Sequence, residues 1–187
     1  MTGSKVPCKI LMPRFTLVIG GARSGKSGFA EGLATSALCP RRYIATAQGW
    51  DAEMRDRIAQ HRLQRGENWV TVDAPLDAAA ALATARDGEI VLLDCATLWL
   101  SNHLLADADL DAQSTGLLDA IRTCPAPVIV VSNEVGWSIV PDNALARRFR
   151  DAQGRLNQRM AGDADLVVAV IAGLPLLLKG AMPGAQN

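Results

Sequence analysis

The residues whose types and spacing best fit a chemical role lie near the amino terminus, in residues 17–31 (LVIGGARSGKSGFAE). A glycine, four further residues and a Gly-Lys-Ser triplet match the pattern GxxxxGK[ST]. In such a loop backbone N–H groups approach phosphate oxygens, the lysine reaches the β- and γ-phosphates, and the serine hydroxyl ligates Mg²⁺. An apolar run before the loop and a helical segment after it favour this function over an ordinary glycine-rich turn. The predicted phosphate-binding residues are Gly20, Gly21, Ala22, Arg23, Ser24, Gly25, Lys26 and Ser27.

An acidic residue at the tip of a second strand would complete a magnesium site beside this loop. Asp94 ends the run EIVLLD, and ligands of open α/β sheets bind where strands end. We therefore predict Mg²⁺ as a cofactor held by Ser27 and assisted by Asp94. The alternative is that Asp94 caps the helix-like segment CATLWLSNHLL that follows it, and the two roles are not exclusive.

Short apolar runs alternate along the chain with helix-like segments. Several runs are apolar throughout, which is typical of strands buried on both faces of a parallel sheet. The alternation predicts an α/β fold with a mostly parallel sheet flanked by helices. Together with the glycine-rich loop, it predicts a single P-loop NTPase (RecA-like) domain. We expect strands at residues 15–19, 42–45, 69–72, 89–93, 127–131 and 166–171, and helices at residues 26–36, 51–64, 76–85, 112–123 and 143–160.

The length of 187 residues suggests one domain, residues 14–187, after a flexible leader, residues 1–13. Lys plus Arg and Asp plus Glu number 19 each, so no excess of positive charge points to nucleic acid as a partner. The most apolar stretch, residues 166–180, contains a glycine and a proline that break it. We read it as a strand, a turn and a second short strand, with no membrane insertion.

The four cysteines match no zinc or haem spacing. We expect no disulfide framework, and hence a cytoplasmic protein.

Five segments in order resemble one enzyme family. They are GGARSGKS, YIATAQ, WDAEMRDRIAQHR, LLDCATLWLSN and VSNEVGWSIVPDNALARRFRDAQGRLNQRMA, and the resemblance runs from about residue 15 to residue 180. The family is the bifunctional adenosylcobinamide kinase / adenosylcobinamide-phosphate guanylyltransferase of cobalamin biosynthesis. Ala96 departs from it, since a larger apolar residue is expected there, and this concerns packing rather than chemistry.

The resemblance implies two reactions, with ATP and GTP as substrates. A nucleoside triphosphate phosphorylates adenosylcobinamide, and GTP then donates GMP to adenosylcobinamide phosphate, releasing pyrophosphate. The resemblance also implies a GMP–histidine intermediate at His61 and a homo-oligomer, expected to be a trimer.

Read from the residues alone, His61 has two interpretations. Neutral imidazole is a competent nucleophile near neutral pH. Met54, Ile58 and His61 share one face of the expected helix, however, so a hydrogen-bonded core histidine is the simpler interpretation until the resemblance is considered. His103, the second histidine, follows an apolar helical pattern and is expected to pack or cap.

The resemblance assigns further residues to the nucleotide. Past the second strand it implies Ala45, Thr46 and Ala47, for which a plain turn is equally suitable. After the histidine it implies Arg62, Leu63, Gln64 and Arg65, where the arginines could instead form a solvated face. Asp73 is a candidate acceptor for guanine N–H groups, and a turn or capping role suits it equally well.

The sequence leaves the roles of two other groups of polar residues undecided. The polar residues Ser132, Asn133 and Glu134 end a strand and could contact substrate or face solvent. Arg148, Arg155 and Arg159 share a helix face, which favours a surface or subunit contact over a phosphoryl clamp. The rival functions are a P-loop kinase of another metabolite, which needs no His61, and a RecA-like ATPase or nucleotide switch.

Overall fold

A seven-stranded sheet forms the centre of the computed structural model, which describes residues 11–49, 52–65 and 68–184. Of the side chains in its second helix, those of residues 53, 54, 57, 58, 61, 62 and 64 lie outside the description. The strands are β1 (Phe15–Gly20), β2 (Arg41–Ala45), β3 (Trp69–Asp73), β4 (Ile90–Asp94), β5 (Val128–Asn133), β6 (Leu166–Ile171) and β7 (Leu174–Lys179). The helices are α1 (Lys26–Ser36), α2 (Ala52–Arg65), α3 (Ala78–Ala83), α4 (Ala96–Leu105), α5 (Leu110–Thr123) and α6 (Ala144–Asp163).

The strand order is β3-β2-β4-β5-β1-β6-β7. Every neighbouring pair is parallel except β6 and β7, which are antiparallel. The predicted α/β class and mostly parallel sheet are therefore confirmed. Strand β5 lies between β1, which leads into the glycine-rich loop, and β4, which ends at Asp94.

Most predicted elements appear within a few residues of their expected bounds. Helix α1 has the predicted bounds. Helix α5 begins two residues earlier than predicted because Asp109 Oδ1 accepts hydrogen bonds from the N–H groups of Asp111 and Ala112. Helix α3 is shorter than predicted, and it ends where the Thr84 hydroxyl donates to the carbonyl oxygen of Ala81.

Apolar side chains fill both faces of the sheet. Helices α3 to α6 cover one face, where Trp99, Leu118 and Leu156 pack against the strands. Helix α1 covers the other face through Ala30, Leu33 and Ala34. Burial on both faces explains why the central strands read as continuous apolar runs.

Some features at the margins of the fold differ from expectation. Met12, placed by the sequence in the leader, is buried on the α1 face. Cys39 is disulfide-bonded, which the spacing of the cysteines did not indicate, because spacing along a chain does not report tertiary proximity. Cys95 and Cys124 are free and buried. None of the described helices is long and apolar enough to cross a membrane.

Candidate nucleotide-binding site

The glycine-rich loop turns tightly from the end of β1 into α1. A Cβ on Gly20 would lie 2.5 Å from the carbonyl oxygen of Val170, so no larger residue fits there unless β6 shifts. Gly25 has a φ of 93° and is the N-cap residue of α1, where it has no side chain that could cap the helix. The first N–H groups of α1 therefore have no side-chain cap. This suits anion binding, because an anion at a helix N-terminus accepts hydrogen bonds from these groups.

The ammonium of Lys26 lies against this loop. Lys26 is buried, and its Nζ donates to the carbonyl oxygen of Gly21 at 3.0 Å. The N–H of Ser24 donates to the same oxygen at 3.3 Å, and the N–H of Gly173, in the turn between β6 and β7, donates to the carbonyl oxygen of Ser24 at 2.9 Å. The loop is therefore closed by its own backbone and held by the neighbouring turn.

The carboxyl ends of the strands form one edge next to the loop. Ala45 at the end of β2 lies opposite both Asp73 and Asp94 in the sheet register. Gly20 at the end of β1 lies opposite Asn133 at the end of β5. Predicted nucleotide-binding residues from four separate segments thus share one edge of the sheet.

The end of β4 distinguishes between the two roles considered for Asp94. The N-cap of α4 is Cys95, whose Sγ accepts from the N–H of Leu98 at 3.5 Å. Asp94 is half-buried and does not cap the helix. Its carboxylate therefore remains at the sheet edge, where it suits the metal role.

Thr46 connects the ends of β2 and β4. Its hydroxyl donates to the carbonyl oxygen of Cys95 and accepts from the N–H of the same residue, each at 2.8 Å. Its N–H donates to the carbonyl oxygen of Asp94, and its own carbonyl oxygen accepts from Asn102 Nδ2 at 2.9 Å. Thr46 is fully buried, so these bonds brace the edge on which Ala45 and Ala47 lie half-buried.

The carboxylate of Asp94 raises the pKa of three acidic groups around it. Burial and, after it, the charge of Asp94 raise the pKa of Glu31 to about 7, with Arg65 opposing the shift. Burial, followed by Asp94, likewise raises the pKa of Tyr43, whose side chain hydrogen-bonds Asp94. The pKa of Cys95 rises to about 11 for the same two reasons, in the same order. A cation beside Asp94 would compensate this charge.

Ser27 and Asp94 fit a magnesium ion through the chemistry of their oxygens. Mg²⁺ is commonly held by one or two protein oxygens together with phosphate and water. Both residues are half-buried, Ser27 in the first turn of α1 and Asp94 at the end of β4. The described residues contain no cluster of three His, Cys, Asp or Glu side chains suited to a metal. Phosphate oxygens and water would therefore complete the coordination.

Helix α2 carries the predicted nucleophile. His61 lies on it, but its side chain and those of Met54, Ile58, Arg62 and Gln64 are outside the described residues, as is Asp51, where the helix was expected to begin. The predicted contacts of His61, Arg62 and Gln64 thus remain predictions. Leu63 is 82% exposed.

Arg65 fixes the carboxyl end of α2. Its guanidinium carbon lies 3.5 Å from the centroid of the Tyr43 ring, and its Nη2 donates to Thr71 Oγ1 at 3.3 Å. The Tyr43 ring in turn contacts Trp69 edge-on at 6.0 Å between centroids. Arg65 therefore joins α2 to β2 and β3 beside the acidic residues Glu31 and Asp94.

Two predictions about polar residues away from the loop can be compared with the structure. His103 is buried, packs edge-on against Trp99 at 4.6 Å between centroids, and bonds the carbonyl oxygen of Leu76, so it packs as expected. Among the arginines of α6, Arg159 donates to Thr115 Oγ1, and Arg148 is exposed, 3.8 Å from the carboxylate of Asp107. These contacts favour the surface interpretation over a phosphoryl clamp.

A buried polar network behind β5 was missed from the sequence. It comprises Thr97, Ser132, Gln153 and Asn157, all less than a tenth exposed. The sequence does contain a signal: two amide side chains lie four residues apart on the apolar face of α6, where solvent cannot reach them.

The sheet and the loop together define a P-loop NTPase. Among solved structures, an ATPase of the type III secretion system of pathogenic bacteria matches with a TM-score of 0.54 at 13% identity, covering 87% of this chain and 56% of that one. The ATPase EscN of enteropathogenic E. coli matches with a TM-score of 0.53 at 14% identity, covering 86% and 43%. At such identities the likeness concerns the fold alone.

Sequence comparison defines the family more narrowly. The sequence model described as cobinamide kinase / cobinamide phosphate guanyltransferase matches residues 16–178. The bifunctional adenosylcobalamin biosynthesis protein CobP of Pseudomonas aeruginosa is 46% identical over 167 residues, covering 88% of this chain and 96% of the relative. CobU of Escherichia coli is 42% identical over 180 residues, covering 87% and 98%. The chain belongs to the cobinamide kinase / cobinamide phosphate guanyltransferase family.

Proposed function

We propose that both activities of the family are carried out on the one phosphate loop. In the kinase reaction the hydroxyl oxygen of adenosylcobinamide attacks the γ-phosphorus of ATP or GTP. The bond from that phosphorus to the β–γ bridging oxygen breaks, the nucleoside diphosphate leaves, and the hydroxyl proton passes to solvent. The observation that carries the proposal is the loop itself, with buried Lys26 closing on Gly21 beside the sheet edge that bears Asp94.

In the guanylyl reaction an imidazole nitrogen of His61 attacks the α-phosphorus of GTP. The bond to the α–β bridging oxygen breaks and pyrophosphate leaves. A phosphate oxygen of adenosylcobinamide phosphate then attacks the same phosphorus, the P–N bond breaks, and adenosylcobinamide-GDP forms. A neutral imidazole is suited to both halves because it is nucleophilic near neutral pH and can leave again.

The chain's own groups serve both reactions by positioning and by charge. The loop N–H groups and Lys26 neutralise phosphate oxygens in a fixed arrangement, and phosphoryl transfer depends mainly on such electrostatics. Ser27 and Asp94 would hold Mg²⁺, which supplies charge neutralisation on the β- and γ-oxygens. The remaining proposed nucleotide contacts are Ala45, Thr46, Ala47, Arg62, Leu63, Gln64, Arg65 and, for the guanine N–H groups, Asp73.

We further propose that the protein works in the cytoplasm as a homotrimer. All six residues of β7 are exposed, including Leu174, Leu176 and Leu177, and an uncovered apolar edge strand is a typical association surface. Leu176→Lys is expected to shift the sedimentation mass towards that of one chain. A wild-type protein that sediments as one chain would contradict the trimer.

The proposed function is tested by following two labels into product. With adenosylcobinamide present, label from the γ-phosphate of GTP is expected in adenosylcobinamide phosphate, and label from the α-phosphate only in adenosylcobinamide-GDP. Transfer of the γ-label alone would mean that the protein is a kinase without guanylyltransferase activity. Transfer of neither label by the wild-type protein would overturn the proposal.

A further inference from the structure

The backbone of Asn133 is fixed from three elements. The N–H of Asn133 donates to Thr97 Oγ1 on α4 at 2.7 Å, and its carbonyl oxygen accepts from Asn157 Nδ2 on α6 at 3.1 Å. The N–H of Glu134 donates to the carbonyl oxygen of Gly20 at 3.0 Å. The tip of β5 is therefore tied directly to the first residue of the phosphate loop.

Behind this tip the buried network is densely bonded. Ser132 Oγ donates to Asn157 Oδ1 at 2.6 Å, and Gln153 Nε2 donates to both of those side-chain oxygens at 2.9 Å. Ser132 and Gln153 are fully buried. Polar groups in a core cost free energy compared with apolar ones, and when bonded together they rigidify their surroundings. In this structure the element that the network rigidifies is the tip of β5.

The side chain of Asn133 is placed differently from its backbone. It is half-buried, and the network behind β5 bonds the backbone carbonyl of Asn133 rather than its side-chain amide. Strand alternation places it on the same face as Ile129 and Val131, which pack in the cluster that α1 covers. The amide therefore lies on the face of the sheet from which α1 and Lys26 start.

The position of β5 between β1 and β4 indicates which phosphate this amide faces. Lys26 and the proposed metal ligands Ser27 and Asp94 act on the β- and γ-phosphates. A side chain between the tips of β1 and β4 is at that end of the nucleotide. The residues proposed for the nucleoside, such as Asp73, lie beyond β4 on the far side.

We propose that the Asn133 amide is a catalytic residue of the kinase reaction, donating to an oxygen of the γ-phosphoryl group during transfer, and that guanylylation of His61 does not need it. This inference rests on the proposed function. A donor fixed in advance stabilises charge on the transferring group without reorganisation. In the guanylyl reaction the phosphorus under attack is two positions away along the triphosphate, outside its reach.

The test compares Asn133→Ala and Asn133→Asp in two assays: phosphorylation of adenosylcobinamide, and retention of α-labelled GMP on the protein without acceptor. Asn133→Ala should lower the kinase kcat about 100-fold, the effect of losing one such donor. Asn133→Asp should lower it further, because a carboxylate repels phosphate. Both variants should retain GMP labelling close to wild type. The matched control is Asn143→Ala, which removes the cap of α6 and should leave the kinase kcat unchanged.

A merely structural role would give another pattern. The isosteric Asn133→Asp would then keep its kinase activity, or both reactions would fall together with the melting temperature, and either result overturns the inference. If the wild-type protein phosphorylates adenosylcobinamide and both Asn133 variants do so at the same rate, this inference alone is overturned. A wild-type protein inactive in both assays would overturn the proposed function and this inference with it.

Discussion

The phosphate loop and helix α2 belong to the same proposed site but are attached to the fold in different ways. The loop is held through its backbone, by bonds from Gly173 and Glu134 to its carbonyl oxygens and by the left-handed conformation of Gly25. Among its described side chains, α2 is held at its end by Arg65, while Leu63 is exposed. The loop is thus fixed to the sheet through its backbone. Among the described side chains of α2, which carries the proposed nucleophile, it is Arg65 that stacks on a residue of the sheet. Changes to the loop should therefore affect both reactions, and changes to α2 only the second.

The largest effect is expected for Lys26→Ala. Removal of the ammonium that reaches the phosphates should lower kcat of both reactions by about 10³-fold. The measurement is steady-state kinetics of each reaction. The control is Lys179→Ala, which removes another ammonium bonded to carbonyl oxygens, those of Ala161 and Gly162, at the far end of β7. Loss of only one reaction in the Lys26 variant would show that the two reactions do not share the loop.

A smaller and selective effect is expected for Arg65→Ala. Loss of the stack on Tyr43 and of the bond to Thr71 removes about 1–2 kcal/mol of interaction, so GMP transfer should slow about tenfold while phosphorylation is unchanged. Arg65→Lys should not restore the rate, because an ammonium lacks the planar stacking surface. Arg55→Ala, on the same helix and exposed, is the control. An equal loss in both reactions would show that Arg65 serves the loop instead.

The smallest effect concerns stability and pH. The pKa of Glu31 is raised to about 7 by burial and then by Asp94, so the folded state favours the protonated carboxyl. Its contribution is fully present below the ordinary pKa of 4.5 and is lost as the pH rises through 7. Glu31→Gln should therefore stabilise the ligand-free protein by about 1 kcal/mol at pH 8, after allowance for partial exposure, and by little at pH 5. Urea unfolding at the two pH values measures this. An equal gain at both would assign the effect to packing.

The parts of the fold that local physics determines could be predicted from the sequence. The continuous apolar runs gave the parallel strands, and the glycine and lysine spacing of the loop gave its place between β1 and α1. Coordinates were needed to show that Asp94 does not cap α4, because the N-cap is the adjacent Cys95, a residue seldom expected there.

Contacts between distant segments could not be predicted. Arg65 stacks on Tyr43, and the Thr46 hydroxyl donates to the carbonyl oxygen of Cys95. Both contacts join residues far apart in the chain, and local sequence patterns carry no information about such pairings. A buried network at Gln153 and Asn157 could in principle have been predicted, since amides on an apolar helix face must find hydrogen-bond partners. The partner, Ser132, becomes evident only once α6 lies on β5.

The central claim is that an imidazole on α2 takes GMP from a triphosphate held by the loop. The most direct measurement is to incubate the protein with Mg²⁺ and GTP labelled at the α-phosphate, without acceptor, and to map the retained label by peptide mass. We expect one GMP on His61, labile in acid, absent from His61→Ala and present in His103→Gln. Label that persists in His61→Ala, or a wild-type protein that retains none, would contradict the account.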